Sequence, residues 1–215
     1  MATSLFHDGA RSWREAVRRG SRGRAIYLLL KKERANRSEI SAIVEQNSKL
    51  IKSMTSRVAS KVAHEMDKGQ MEGKRPEELM KQVLSRWPQL TRAHALLIAR
   101  TESSKATTAL TRVRAESAGL SWYVWKTSKD ARVRSSHSHM DGVICSWKDP
   151  PSPEKLLHQK DYGHYAPGEI FNCRCYPAPL LDYEDVSWPH KVYVNGRIRM
   201  MTLAAFKKLN GGGSL

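Results

Sequence analysis

From residue 38 the apolar positions Ile40, Ile43, Val44, Ile51, Met54, Val58, Val62 and Met66 recur at steps of three and four, the spacing of one face of an α-helix. Ser38 is a candidate N-cap, Asn47 interrupts the stripe, and Gly69 and Gly73 mark its end. The pattern predicts an amphipathic helix of about 30 residues, one wall of a bundle or a coiled-coil seam. A second helix is expected from Pro76, whose fixed φ suits a first turn, through Leu79, Val83 and Leu84 to a stop at Trp87-Pro88. A third starts at Thr91 as cap, carries Leu96, Leu97, Ala99, Ala106, Leu110 and Val113, and ends at Gly119.

After Gly119 the period shortens. Residues 121 to 126, Ser-Trp-Tyr-Val-Trp-Lys, form an aromatic and β-branched run of strand type. Ser128 is a candidate cap for a short helix that would carry Arg134, His137 and Asp141 on adjacent turns. Residues 149 to 165, rich in Pro, charge and His, read as an irregular loop, with His158 and His164 at the surface. Pro177 and Pro179, followed by Asp182, Glu184 and Asp185, read as a linker or partner-facing segment. Asn195-Gly196 between apolar-containing arms predicts a β-hairpin over residues 191 to 199. That hairpin either extends the sheet begun by the tryptophan-rich strand or stands as a separate tab. A short helix over residues 202 to 209 follows it.

The fold class is therefore α+β, with a helical N-terminal half and a small, loop-rich C-terminal module of few short strands. Four parts are expected: a basic arm over 1–37, a helical region over 38–119, a compact module over 120–180, and a linker, hairpin and terminal helix over 181–215. The 215 residues are enough for a real core. No apolar run approaches the roughly 18 residues of a membrane span, and Leu28-Leu29-Leu30 is too brief and too flanked by charge for a secretory signal. A soluble protein made in a cytosol, without a membrane partner, is the expectation.

Charge sharpens this picture. There are 37 basic and 21 acidic side chains, a net charge of +16, which favours association with polyanions. The N-terminal arm is the most basic part for its length: Arg11, Arg14, Arg18, Arg19, Arg22, Arg24, Lys31, Lys32, Arg34 and Arg37 stand against Asp8, Glu15 and Glu33. It could neutralise several phosphates of double-stranded DNA without sequence preference, and binding would then weaken as salt rises. Interspersed Trp13, Val17, Ile26, Tyr27 and Leu28 equally suit docking on a protein partner or a second copy of the chain.

The candidate chemistry is concentrated between residues 130 and 175, which hold all 3 cysteines and His137, His139, His158 and His164 of the 8 histidines. Cys thiolate and His nitrogen are the ligands of tetrahedral zinc, and a small irregular segment can fold around that ion. Cys173, Cys175 and His137 are the leading ligands, with Cys145, His139 or Asp141 as candidates for the fourth place. Ordinary buried thiols are the plain alternative. A disulfide between Cys173 and Cys175 is disfavoured by their closeness in sequence, and an odd cysteine count points to a reducing compartment.

At these residues the chain resembles the phage minor head, or head-morphogenesis, proteins of the Mu F-like type. The elements that carry the resemblance are Arg100-Thr101-Glu102, Gly119 with Trp122 and Trp125, and Asp130, Arg132, Arg134 and His137. They continue with Asp141-Gly142, Pro167-Gly168, and Asn172-Cys173-Arg174-Cys175. All stand in the family's order over roughly residues 95 to 176; Cys145 and His139 fall outside its pattern. The resemblance implies that Arg100 and Glu102 brace the third helix against the C-terminal module.

It also implies a minor structural protein of a tailed-phage head, located in the virion and in the host cytoplasm during assembly. Its implied partners are the portal, other head proteins and packaged DNA, and its role is head assembly, DNA packaging or DNA delivery. Two other classes compete. One is a metal-dependent nuclease or hydrolase using His137, His139 and Asp141; the other is a sequence-specific zinc DNA-binding protein, which would need a recognition helix beside the ligands. The thiolate-rich ligand set favours a closed structural site, and no Gly-x-Ser-x-Gly elbow or phosphate-cradling glycine loop is present in the sequence.

Overall fold

The computed structural model describes residues 64–65, 68–69 and 72–210. The basic arm, with Arg11, Arg14, Arg18, Arg19, Arg22, Arg24, Lys31 and Lys32, and nearly all of the helix expected from residue 38 lie outside them. Two helices open the described part, α1 over Pro76–Arg86 and α2 over Arg92–Ser117. Pro76 at the start of α1 needs no N–H partner, and Glu77 and Glu78 in its first turn suit the positive end of the helix dipole. Thr91 caps α2 by accepting the His94 N–H at 3.2 Å.

The end of α2 is equally local in origin. Leu120 N–H reaches Ala115 C=O at 2.8 Å and Gly119 N–H reaches Glu116 C=O at 3.0 Å, the paired bonds of a Schellman stop. Leu79, Met80 and Val83 of α1 pack on Ala95, Ile98 and Ala99 of α2. Small residues on the α2 side of this seam let the two helices approach.

The C-terminal part is a sheet of five strands: β1 Trp122–Thr127, β2 Ile144–Ser146, β3 Cys175–Pro179, β4 His190–Val194 and β5 Arg197–Met201, in the order β3-β1-β2-β4-β5. Neighbours run antiparallel except β2 and β4. Short helices α3 Ser135–His139, α4 Pro153–Leu156 and α5 Leu203–Leu209 fill the connections and the C-terminal end. The fold is α+β, as the patterning implies.

Alternation along β1 gives the sheet two buried faces. Tyr123 and Trp125 join Ala115, Leu120, Met140, Trp147 and Tyr165 in one cluster, and Trp122 and Val124 join Ile144, Val192 and Phe206 in the other. The hairpin extends this sheet rather than standing apart, because Val192 of β4 pairs with Ile144 of β2. Its turn residues Asn195 and Gly196 both take positive φ, 51° and 77°, as a type I′ turn demands. On α5, Phe206 sits 4.9 Å from the Trp122 ring, 5.2 Å from Tyr183 and 5.1 Å from Trp188.

Two expectations change. Pro177 and Pro179, expected in a linker, belong to β3 at the edge of the sheet, where a missing N–H is tolerated; Leu180 and Tyr183 beyond them are buried. The short helix begins at Ser135, not beside Ser128. Asp130 explains this: it accepts the Ser128 hydroxyl at 3.0 Å and the Arg132 N–H at 2.9 Å, a local turn that competes with helix. Residues 149–165 are irregular apart from α4, with His158 and His164 exposed.

Candidate metal centre

Three separate stretches meet beside β1. The first is α3, which turns His137 inward until the ring is 1% exposed and stands edge-on to Trp125 at 5.5 Å between centroids. The second is the segment from Pro167 to Cys175. Asn172 takes a positive φ of 51° there, and Cys175 then enters β3.

Helix α2 braces that segment. Thr101 Oγ1 accepts the Asn172 N–H at 3.0 Å, and the Thr108 hydroxyl donates to Pro167 C=O at 2.7 Å. Gly168, at φ 96°, lies so close that a Cβ would overlap Thr108 Oγ1, and its N–H points to Cys173 Sγ at 3.3 Å. The third stretch holds Glu154 in the first turn of α4 and Tyr165 in the irregular chain beyond it.

His137 Nδ1 lies 3.5 Å from Cys173 Sγ and 3.4 Å from Cys175 Sγ. Among the described residues these three form the group able to share a metal, with their ligand atoms all within 4.8 Å of one another. On the far side of the ring, Nε2 is 2.9 Å from Tyr165 Oη. The Tyr165 hydroxyl donates to Glu154 at 2.8 and 2.7 Å, and the Ser136 hydroxyl donates to Glu154 Oε1 at 3.1 Å.

The two thiols are pushed apart in acidity. A hydrogen bond from Cys175 holds Cys173 well below the usual thiol range, aided by His137 and the Gly168 N–H, while donating that bond and burial push Cys175 up. Burial, then the Glu154 carboxylate, raises the Tyr165 phenol. Two sulfurs and one imidazole make a donor set for zinc or another soft to borderline cation.

The other sequence candidates stand elsewhere. Cys145 is fully buried in the cluster with Tyr123, Trp147 and Tyr193, and that burial pushes its thiol up. His139 is exposed. Asp141 Oδ1 accepts the Thr127 N–H at 2.9 Å and the Thr127 hydroxyl at 3.1 Å, tying the α3 end to β1.

The remaining motif residues frame the centre. Arg174 Nε donates to Asp130 Oδ2 at 2.6 Å, and Arg132 extends from the same turn. Arg134 donates to Phe171 C=O at 2.9 Å with its guanidinium 4.6 Å over the Phe171 ring. Gly142 accepts from His190 Nε2 at 2.7 Å, and Trp122 Nε1 donates to Asn210 at 2.8 Å. Arg100 faces α1, 3.8 Å from Glu77, whereas Glu102 is buried against Lys105 at 2.8 Å. Burial raises the Glu102 carboxyl.

Sequence reasoning missed Glu154 and Tyr165. Pro153, a helix-starting residue just before Glu154, is the one local signal; nothing in the spacing ties either side chain to His137.

The sequence model for Phage Mu protein F like protein matches residues 60–177, a span that takes in α1, α2, the centre and the first three residues of β3. An uncharacterized protein of Haemophilus influenzae is 36% identical over 144 residues, 67% of this chain and 30% of that protein. The chain thus spans about a third of that relative's length. No solved structure matches. With more than half of its residues under the family pattern, the chain belongs to the Phage Mu protein F like family, a phage head-morphogenesis family.

Proposed function

We propose that the protein is a minor structural component of a tailed-phage head, held near the portal and acting in head assembly, DNA packaging or DNA delivery. The observation that carries this reading is the family match over residues 60–177. The net charge of +16 supports contact with packaged DNA, through Arg11, Arg14, Arg18, Arg19, Arg22, Arg24, Lys31 and Lys32 of the N-terminal arm. On this reading the helices meet neighbouring head proteins and the sheet unit is the rigid body they carry.

A sequence-reading zinc protein is less well supported. Helix α3 has only 5 residues, and the adjoining Arg134 is engaged by Phe171, so a base-reading helix beside the ligands is lacking among the described residues. A metal-dependent hydrolase built on His137, His139 and Asp141 is not favoured either, since Asp141 is held by Thr127 and His139 is exposed.

The test is quantitative mass spectrometry of heads purified from cells producing the phage, with and without the gene. The protein should be present at few copies per head, and its loss should leave heads that lack DNA or fail to deliver it. Absence from purified heads, with normal infectious particles formed by the deletion, would contradict the proposal.

A further inference from the structure

The Cys173, Cys175 and His137 cluster brings two sulfurs and one ring nitrogen to a common point. Glu154 receives hydroxyl hydrogens from both Ser136 and Tyr165, as an ionised carboxylate does. The single hydroxyl hydrogen of Tyr165 is thereby committed, so its oxygen accepts from His137 Nε2–H at 2.9 Å. A ring that carries its one N–H at Nε2 presents the Nδ1 lone pair to the two sulfurs, at 3.4 and 3.5 Å.

A cation at that point is reached by all three atoms, each donating its own lone pair to a common centre. The dimensions agree: Zn–S of about 2.3 Å and Zn–N of about 2.05 Å at a tetrahedral angle put S and N roughly 3.5 Å apart.

We infer that His137 Nδ1, Cys173 Sγ and Cys175 Sγ bind one Zn2+, with Tyr165 and Glu154 as positioning residues that fix the imidazole tautomer. A His N–H relayed to a carboxylate is the usual outer arrangement of a zinc-bound histidine. Among the described residues three ligands are supplied. Binding the ion releases the thiol protons to solvent and involves no change of oxidation state. The role is structural, because the ion joins α3 to the start of β3 on the rim of a small core. This inference stands whether or not the protein acts in a phage head.

The test is metal analysis of the full chain purified under reducing conditions, followed by Co2+ titration of the zinc-stripped protein. One zinc per chain is expected, with Co2+ giving tetrahedral d–d absorption and thiolate charge-transfer absorption. Cys173→Ser and Cys175→Ser should each reduce the charge-transfer intensity by about half, and Cys145→Ser should leave it unchanged. Glu154→Gln should weaken zinc about 10- to 100-fold in competition with a chromophoric chelator. Failure of the folded, reduced wild type to bind Zn2+ or Co2+ would overturn the assignment, as would loss of the signal in Cys145→Ser. Should the cysteine variants not fold, the wild-type titration and Glu154→Gln decide the matter on their own.

Discussion

His137 Nδ1 stands 3.4 Å from Cys175 Sγ although 38 residues separate them in the chain. The contact fixes α3 to the first residue of β3, and the Pro167–Cys175 segment between them is held from outside by α2. Consequences for stability follow from each of these attachments.

Gly168 is required by both its backbone and its surroundings. Its φ of 96° is outside the range of L side chains, and a Cβ would overlap Thr108 Oγ1. Gly168→Ala is expected to cost about 2 kcal/mol or more, measured as a lower urea midpoint. Thr108→Val, which loses the bond to Pro167 but keeps the shape, should cost about 1 kcal/mol.

The Asp130 and Arg174 pair makes stability depend on acid. Arg174 holds the Asp130 carboxyl at about 2, against roughly 3.9 for an unperturbed aspartate. Because the folded value is the lower one, the contribution is fully present above about pH 4 and is lost as pH falls towards 2. Urea midpoints of wild type and Asp130→Asn should therefore differ near neutral pH and converge at the acid end. A constant difference across that window would show that the pair contributes nothing to linkage.

Lys105 and Glu102 are each about 1% exposed and bonded at 2.8 Å, while Glu102 Oε2 has no partner. Removing only the lysine strands a buried carboxylate. Lys105→Met should cost roughly 3 kcal/mol or more, and Lys105→Met with Glu102→Leu should recover most of that loss. Thermal melts of the two variants side by side provide the comparison.

Phe206 anchors α5 to the sheet face shared by Trp122 and Trp188. Phe206→Ala should cost about 3–5 kcal/mol and shift tryptophan emission to the red. An unchanged spectrum would mean that α5 is not seated there.

Legibility in the sequence tracked how local each cause was. Thr91 as cap, Gly119 as stop, the alternation from Trp122 and the Asn195-Gly196 turn each rest on neighbouring residues, and each was readable in advance. Ser128 misled because the Asp130 side chain outcompetes it for the local backbone. Pro177 and Pro179 misled because a strand at a sheet edge tolerates what an inner strand does not. Of the cysteines, Cys145 could not be told from the other two by type; the strand register carries it into the core beside Tyr123. Glu154 and Tyr165 were invisible because their only tie to His137 is tertiary.

The most direct test of the central claim, a zinc-joined contact between α3 and β3, is thermal unfolding of the reduced full chain with and without a strong chelator. A ligand that binds only the folded state raises its stability. The melting temperature should fall by several degrees on chelation and return on adding one equivalent of Zn2+. An identical melt in all three conditions would contradict the account and leave Cys173, Cys175 and His137 as a metal-free hydrogen-bonded cluster.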